Sequence, residues 1–158
     1  MTDRIDWPSL FLSVFESVSN TLSIVLQAAG CREGWLQGEF FRYGHSLNIP
    51  IDVNDFDLGN RQKADLSSDH HPKMVAEIKI VGADYQSKMI KCIESDVERL
   101  RRLSEEWERY MILVAPQANA RARKSKLGVF LDTCSFGKIC DDREFGAFRV
   151  RIWRVEQP

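Results

Sequence analysis

The chain has 158 residues, of which 44% are hydrophobic and 28% are charged, proportions that argue against a disordered or fibrous protein. This length predicts one domain, residues 1–158, with one hydrophobic core. The formal net charge of -1 argues against a protein that coats nucleic acid regardless of sequence, because such proteins are strongly basic. Any nucleic-acid surface therefore has to be local.

Cysteine usage and the first apolar segment both predict a cytoplasmic protein. The four cysteines form no C-x-x-C pair, and their spacing indicates neither a zinc cage nor a disulfide framework. The apolar run "WPSLFLSVFESVSNTLSIVLQAAG" is interrupted by Glu16 and has no basic leader. It therefore predicts neither a signal peptide nor a membrane span.

Two helices are predicted in the first third of the chain. Apolar residues recur at helical spacing from Phe11 to Leu26, with Pro8 near the start and Gly30 just past the end. This pattern predicts an amphipathic helix of about 20 residues. The segment "REGWLQGEFFRYG" repeats the spacing and predicts a second helix over residues 31–43.

The middle of the chain predicts a mixed sheet. Residues 44–60 indicate a loop with one weak edge strand, "IPIDV", and "RQKADLS" and "KMVAEIKIV" indicate two strands joined by "SSDHHP". A helix is predicted over residues 87–107, and the apolar run "RYMILVA" that follows it is typical of a buried strand. This order indicates a strand–helix–strand crossover. A half-exposed strand is predicted around Phe148–Ile152, and residues 116–146 receive no assignment.

Three charged residues stand where these strands would otherwise be apolar. Residues two apart on a strand share a face, so Glu77 and Lys79 lie on one side of their strand, opposite Ile78. If the two strands are antiparallel neighbours, Asp65 meets Glu77 at one end of the sheet. Two crowded carboxylates repel each other unless a proton or a divalent ion lies between them. The pattern therefore predicts a magnesium site, with a lysine that orients or deprotonates the attacking water.

These residues resemble a known family. "KADL" followed by "AEIK" is similar to the motif of the PD-(D/E)xK nuclease superfamily, and the similarity covers about residues 31–115. The resemblance implies an α/β protein with the restriction-endonuclease-like αβββαβ core, whose mixed central sheet is flanked by helices, here with an extra N-terminal helix. The chain departs from the motif at Ala64, where the family name has a proline.

The resemblance also implies roles for particular residues. Asp65, Glu77 and Ile78 would bind Mg²⁺, for which Mn²⁺ can substitute, and Lys79 would be the catalytic lysine. The family often adds a glutamate from the helix before the sheet. Glu33 and Glu39 are both candidates, and Glu33 ranks first because it precedes Leu36 in an E-x-x-L spacing.

Competing interpretations of the charged segments remain open. Glu-x-Lys also occurs on solvated strand faces, in which case the three side chains would not converge. "DHH" at 69–71 indicates a polar turn more than a set of metal ligands. Asp96 is interpreted as a structural partner of Arg99 or Arg32. Two groups are candidates for phosphate contacts: Gln86 and Lys88, and the basic run "RARKSK" at 121–126 together with Arg149 and Arg151.

The resulting hypothesis is a magnesium-dependent nuclease that hydrolyses phosphodiester bonds, with DNA favoured over RNA as partner, no membrane partner and a homodimer as a possible assembly. The rival hypothesis keeps the fold without catalysis, as a binding or regulatory module of a defence or repair complex.

Overall fold

A computed structural model of the chain describes residues 4–28, 30–81, 86–116 and 126–158. Within these ranges the protein is mixed α/β, as predicted, with four helices, a mixed six-stranded sheet and a two-stranded hairpin. The helices are α1 (Trp7–Val25), α2 (Arg32–Ser46), α3 (Gln86–Arg101) and α4 (Lys126–Thr133). The strands are β1 (Asp52–Val53), β2 (Asp57–Gly59), β3 (Gln62–Lys63), β4 (Leu66–Ser68), β5 (Met74–Ile80), β6 (Glu108–Pro116), β7 (Gly137–Phe145) and β8 (Phe148–Val155).

The six strands of the main sheet lie in the order β1-β4-β5-β6-β8-β7. Among the described strands of this sheet only the central β5–β6 pair is parallel, and α3 lies between its two strands in the chain, as the predicted strand–helix–strand crossover requires. The edge strand predicted in "IPIDV" is confirmed as β1, which pairs with β4. Strand β5 therefore lies between β4 and β6, and it continues beyond the end of its pairing with β4.

Helix α1 begins and packs as its sequence predicts. Asp6 accepts a hydrogen bond from the Ser9 N–H at 3.2 Å, and Pro8 occupies the first turn, where its missing N–H costs nothing. The apolar stripe of α1 lies with α2 in the core on one face of the sheet, where Phe11 and Phe15 meet Phe40 edge-on. That stripe is buried inside the protein. No helix in the described ranges is long and apolar enough to cross a bilayer.

The other face of the sheet is covered by α3 and α4, which bury a second apolar cluster including Ile93, Val97 and Trp153. Helix α3 ends at Arg101 rather than at residue 107 as predicted. Ser104 begins the turn that separates α3 from β6, and its hydroxyl contacts Glu106 at 3.3 Å. Serine competes with helix formation through such local contacts. The prediction missed this because Leu103 and Trp107 continue the apolar spacing.

The segment "RQKADLS" is not one strand, as predicted, but two. Asn60 and Arg61 have φ values of 53° and 61°, so the chain turns back after β2 and forms a hairpin. Residues 62–63 belong to that hairpin, and β4 begins only at Leu66. Asp65 therefore lies just before β4, outside the regular ladder, and its side chain is able to turn towards β5.

Candidate active site

Asp65, which immediately precedes β4, lies opposite Glu77 of β5. Strands β4 and β5 are antiparallel with Leu66 opposite Ala76, so one further step of the register places Asp65 opposite Glu77. Asp65 Oδ2 accepts a hydrogen bond from the Ile78 N–H at 2.7 Å. The β4–β5 pairing ends at Leu66 and Ala76, so the Asp65 carboxylate replaces the main-chain acceptor that β4 does not provide to Ile78.

Glu33 from α2 contacts the same edge of β5. Its Oε1 accepts a hydrogen bond from the Ile80 N–H at 3.1 Å, two residues beyond the contact that Asp65 makes. The N–H and C=O of one strand residue point to the same side, so the Ile78 carbonyl faces this edge as well. The free edge of β5 is therefore lined by two carboxylates and a main-chain carbonyl.

Glu39, the second glutamate predicted to assist, does not join this group. Six residues separate it from Glu33, which amounts to about 120° around an α-helix and about 9 Å along it. Glu39 forms an ion pair with Arg42 at 2.8 Å. Of the two candidates, the structure brings only Glu33 to the edge of β5.

Lys79 is held by helix α3. Its Nζ forms an ion pair with Asp96 Oδ2 at 3.0 Å. Arg99, one turn further along α3, also pairs with Asp96, and its guanidinium lies 3.6 Å from Glu77 Oε1. Burial alone would lower the pKa of Lys79, but the negative charges of Asp96 and Glu33 outweigh it and raise the pKa. Lys79 is therefore protonated at neutral pH.

Glu77 is buried beside another carboxylate. It is 4% exposed, and its Oε1 has no hydrogen-bond partner within the described part of the protein. Burial and then the negative charge of Asp65 raise the pKa of Glu77 to about 9. In the absence of a cation, Glu77 therefore carries a proton at neutral pH.

The donor set fits a hard divalent cation. Asp65 and Glu77 supply two adjacent carboxylates, one with an unsatisfied buried oxygen, and the Ile78 carbonyl is a third oxygen at the same edge. The described residues contain no group of three or more His, Cys, Asp or Glu side chains that could hold a metal ion. Magnesium requires no such group, since it is often held by one or two carboxylates together with water and substrate phosphate.

Two further polar residues complete the site, and sequence analysis did not identify them. Gln37 Nε2 donates to Asp65 Oδ1 at 2.6 Å, and Asn54 Nδ2 donates to Gln37 Oε1 at 2.9 Å. Gln37 is 6% exposed. It follows Glu33 by four residues and so lies on the same face of α2. This four-residue spacing from Glu33 is the sequence signal that could have identified Gln37.

The other candidates from the sequence lie elsewhere or pair differently. Residues 69–71 form part of the connection between β4 and β5, with Asp69 and His71 exposed. Arg149 and Arg151 both bind Asp142, at 2.8 and 2.9 Å, while residues 121–125 of the basic run and the Gln86 side chain lie outside the described part. Asp96 pairs with Arg99, as considered, and also with Lys79.

The raised pKa of Glu77 predicts how stability depends on pH in metal-free protein. The pKa of Glu77 in the folded protein, about 9, exceeds its ordinary value of 4.5. Protonated Glu77 therefore contributes its full stability when the pH is below 4.5. That contribution is lost as the pH rises towards 9. Glutamine mimics the neutral acid and does not titrate. Thermal unfolding in EDTA should therefore show that Glu77→Gln exceeds the wild type in Tm by a margin that grows from about pH 5 to about pH 9. A margin that stays constant across that range would contradict the assigned protonation.

The site thus combines two neighbouring carboxyl groups, a main-chain carbonyl at the free edge of β5, and a protonated amine on the sheet face that packs against α3. Such a group can bind a hard cation and stabilise negative charge on a substrate. No protein-family model matches the chain, and no curated protein or solved structure is significantly similar to it.

Proposed function

We propose that the protein is a magnesium-dependent nuclease that hydrolyses phosphodiester bonds in nucleic acid, with DNA as the favoured substrate. One observation carries the proposal: Asp65, just before β4, lies opposite Glu77 of β5, with its carboxylate bound to the Ile78 N–H. Lys79 follows on the same face as Glu77. This is the convergence that a solvated strand face would lack.

The order of elements supports the same proposal. Omitting the β2–β3 hairpin, α2, β1, β4, β5, α3 and β6 follow one another as αβββαβ, the order expected for the restriction-endonuclease-like core. Helix α1 precedes it, and α4, β7 and β8 follow. The hairpin is an insertion between the first two strands of that order, and it ends two residues before Asp65.

The residues have separate roles in this proposal. Asp65, Glu77 and the Ile78 carbonyl would hold Mg²⁺ or Mn²⁺, which when bound supplies a Lewis acid for the phosphoryl oxygen. Lys79 stays protonated because Asp96 and Glu33 lie beside it. It is therefore suited to orienting water and stabilising charge on the phosphate, and poorly suited to accepting a proton. Glu33 anchors the edge of β5 at Ile80.

A matched pair of substitutions on α2 tests whether Glu33, and not Glu39, supports the proposed cleavage activity. Glu33→Gln should lower the cleavage rate by about 10- to 100-fold, the usual effect of losing a group that supports metal ligands. Glu39→Gln, the same chemical change on the same helix, should leave the rate unchanged because Glu39 pairs with Arg42. The measurement is the initial rate of cleavage of labelled DNA and RNA, single- and double-stranded, with Mg²⁺ or Mn²⁺. If wild-type protein cleaves none of these substrates, the nuclease proposal fails.

The non-catalytic binding module remains the second candidate, favoured by the ion pairs on α3. Arg99 lies beside Glu77, and Asp96 engages both Arg99 and Lys79, so internal counter-ions already partly neutralise the acidic groups. A module of this kind would bind nucleic acid or a protein partner, and calorimetry would show no Mn²⁺ binding that depends on Asp65. The nuclease proposal requires such binding.

A further inference from the structure

We propose that Gln37, oriented by Asn54, is a positioning residue that fixes the Asp65 carboxylate, an inference about the site that rests on the proposed function. Gln37 is a buried neutral amide on α2 that lies between the Asp65 carboxylate and the Asn54 amide. It contacts no reacting group itself, and it acts through Asp65.

Both oxygens of Asp65 are engaged by different parts of the chain. Oδ1 accepts from the Gln37 side chain on α2 at 2.6 Å, and Oδ2 accepts from the Ile78 main chain on β5 at 2.7 Å. Two donors from two elements fix the rotation of the carboxylate plane. A carboxylate held in this way is pre-organised for a cation, because outer hydrogen bonds set the direction of the ligand's remaining lone pairs.

Asn54 determines which end of the Gln37 amide faces Asp65. A primary amide has one accepting and one donating end, and the Asn54 Nδ2 donates to the accepting end, Gln37 Oε1, at 2.9 Å. The donating end is then directed to Asp65. If the amide were reversed, two oxygens would face each other at Asp65, and two N–H groups would face each other at Asn54.

The local backbone supports this orientation of Asn54. Asn54 has a positive φ of 52°, which asparagine and aspartate tolerate better than other side chains. Its N–H donates to the Asp65 carbonyl at 3.3 Å. Asn54 is thus joined to Asp65 directly through the main chain and indirectly through Gln37.

Hydrogen exchange in metal-free protein tests the positioning role without requiring activity. Gln37→Leu preserves size but removes the donor, so the Asp65 carboxylate becomes free to rotate and the Ile78 amide loses a fixed acceptor. We expect Ile78 exchange to accelerate by about tenfold or more, since the lost contact is a charge-assisted hydrogen bond. Ile80, whose N–H binds Glu33, is the internal control and should keep its rate. General loosening of β5 would accelerate both amides.

Asn54→Asp provides a second variant at an exposed position, so the test does not depend on how well Gln37→Leu folds. Ionised aspartate accepts hydrogen bonds but does not donate them, so Gln37 Oε1 loses its donor and the Gln37 amide is no longer held with its N–H directed at Asp65. Ile78 exchange should again rise while Ile80 stays unchanged. Unchanged Ile78 exchange in Asn54→Asp, or in folded Gln37→Leu, would overturn the inference.

Manganese titration calorimetry on the same proteins separates this inference from the proposed function. If the wild type binds Mn²⁺, Gln37→Leu should weaken the affinity by about 10- to 100-fold, and an unchanged affinity would overturn the positioning role. If the wild type binds no Mn²⁺, the proposed function fails. In that case the exchange experiment still determines whether Gln37 fixes the orientation of Asp65.

Discussion

Replacing Asp65 with asparagine is expected to abolish divalent-cation binding and cleavage while the protein stays folded. The asparagine Oδ1 can still accept from the Ile78 N–H, so the edge of β5 keeps its hydrogen bond. The negative charge is lost, however, and the new amide N–H₂ faces the Gln37 donor. A bound cation lowers the activation free energy by several kcal/mol, so its loss should decrease the cleavage rate by about a thousandfold. Calorimetry with Mn²⁺ and initial cleavage rates measure the two effects.

Asp52→Asn is the matched control for this substitution. Asp52 is an exposed aspartate on β1, the edge strand that pairs with β4. The control removes the same charge close to the site without touching it, so both cation affinity and rate should stay at the wild-type level. The account of the site would be wrong if Asp65→Asn still bound Mn²⁺ as tightly as this control.

Lys79→Ala is expected to separate catalysis from cation binding. The ammonium is held against Asp96 and is not among the cation's proposed ligands, so Mn²⁺ affinity should be retained. Cleavage should fall by about 10²–10³-fold, the usual effect of removing one group that stabilises transition-state charge. Asp96 keeps Arg99 as a partner, so the free energy of unfolding should fall by only about 1–3 kcal/mol.

Lys138→Ala serves as the control for Lys79, because Lys138 is an exposed lysine on β7. It removes the same charge from the protein and should change neither rate nor stability. Full cleavage by a folded Lys79→Ala protein would exclude a catalytic role for Lys79. Equal losses of cation affinity and rate would instead assign Lys79 a structural role beside Asp96.

Much of the fold follows from local patterns in the sequence. The apolar spacing in α1, with Asp6 and Pro8 at its start, predicts a helix because capping and burial act over a few residues. The alternation of charged and apolar residues from Glu77 to Ile80 predicts which side chains share a face of β5. Those faces are as predicted, since Ile78 and Ile80 belong to one buried cluster and the Lys79 side chain reaches α3 on the opposite face.

The remaining parts of the site depend on contacts between distant segments. Gln37 and Asp65 are separated by 28 positions, and Glu33 and Ile80 by 47. Helical spacing shows that Glu33 and Gln37 share a face, but it does not show which face meets the sheet. Only the packing of α2 against β5 distinguishes Glu33 from Glu39.

Residues 116–146 received no assignment for a related reason. Strand β7 is mostly exposed, so no apolar alternation indicates it, and its register with β8 shifts between Ile139 and Asp141. Its extended conformation is stabilised by a ladder with β8, whose sequence is strongly patterned. Such a strand is specified mainly by its partner.

A crystal structure of the protein soaked with Mn²⁺ would determine whether Asp65 and Glu77 share one cation, because anomalous scattering locates the ion independently of any assay. The proposed site predicts one ion in direct coordination with carboxylate oxygens of both Asp65 and Glu77, and with the Ile78 carbonyl at the same edge of β5. An ion bound elsewhere, or no ion while Glu77 remains beside Arg99, would contradict it.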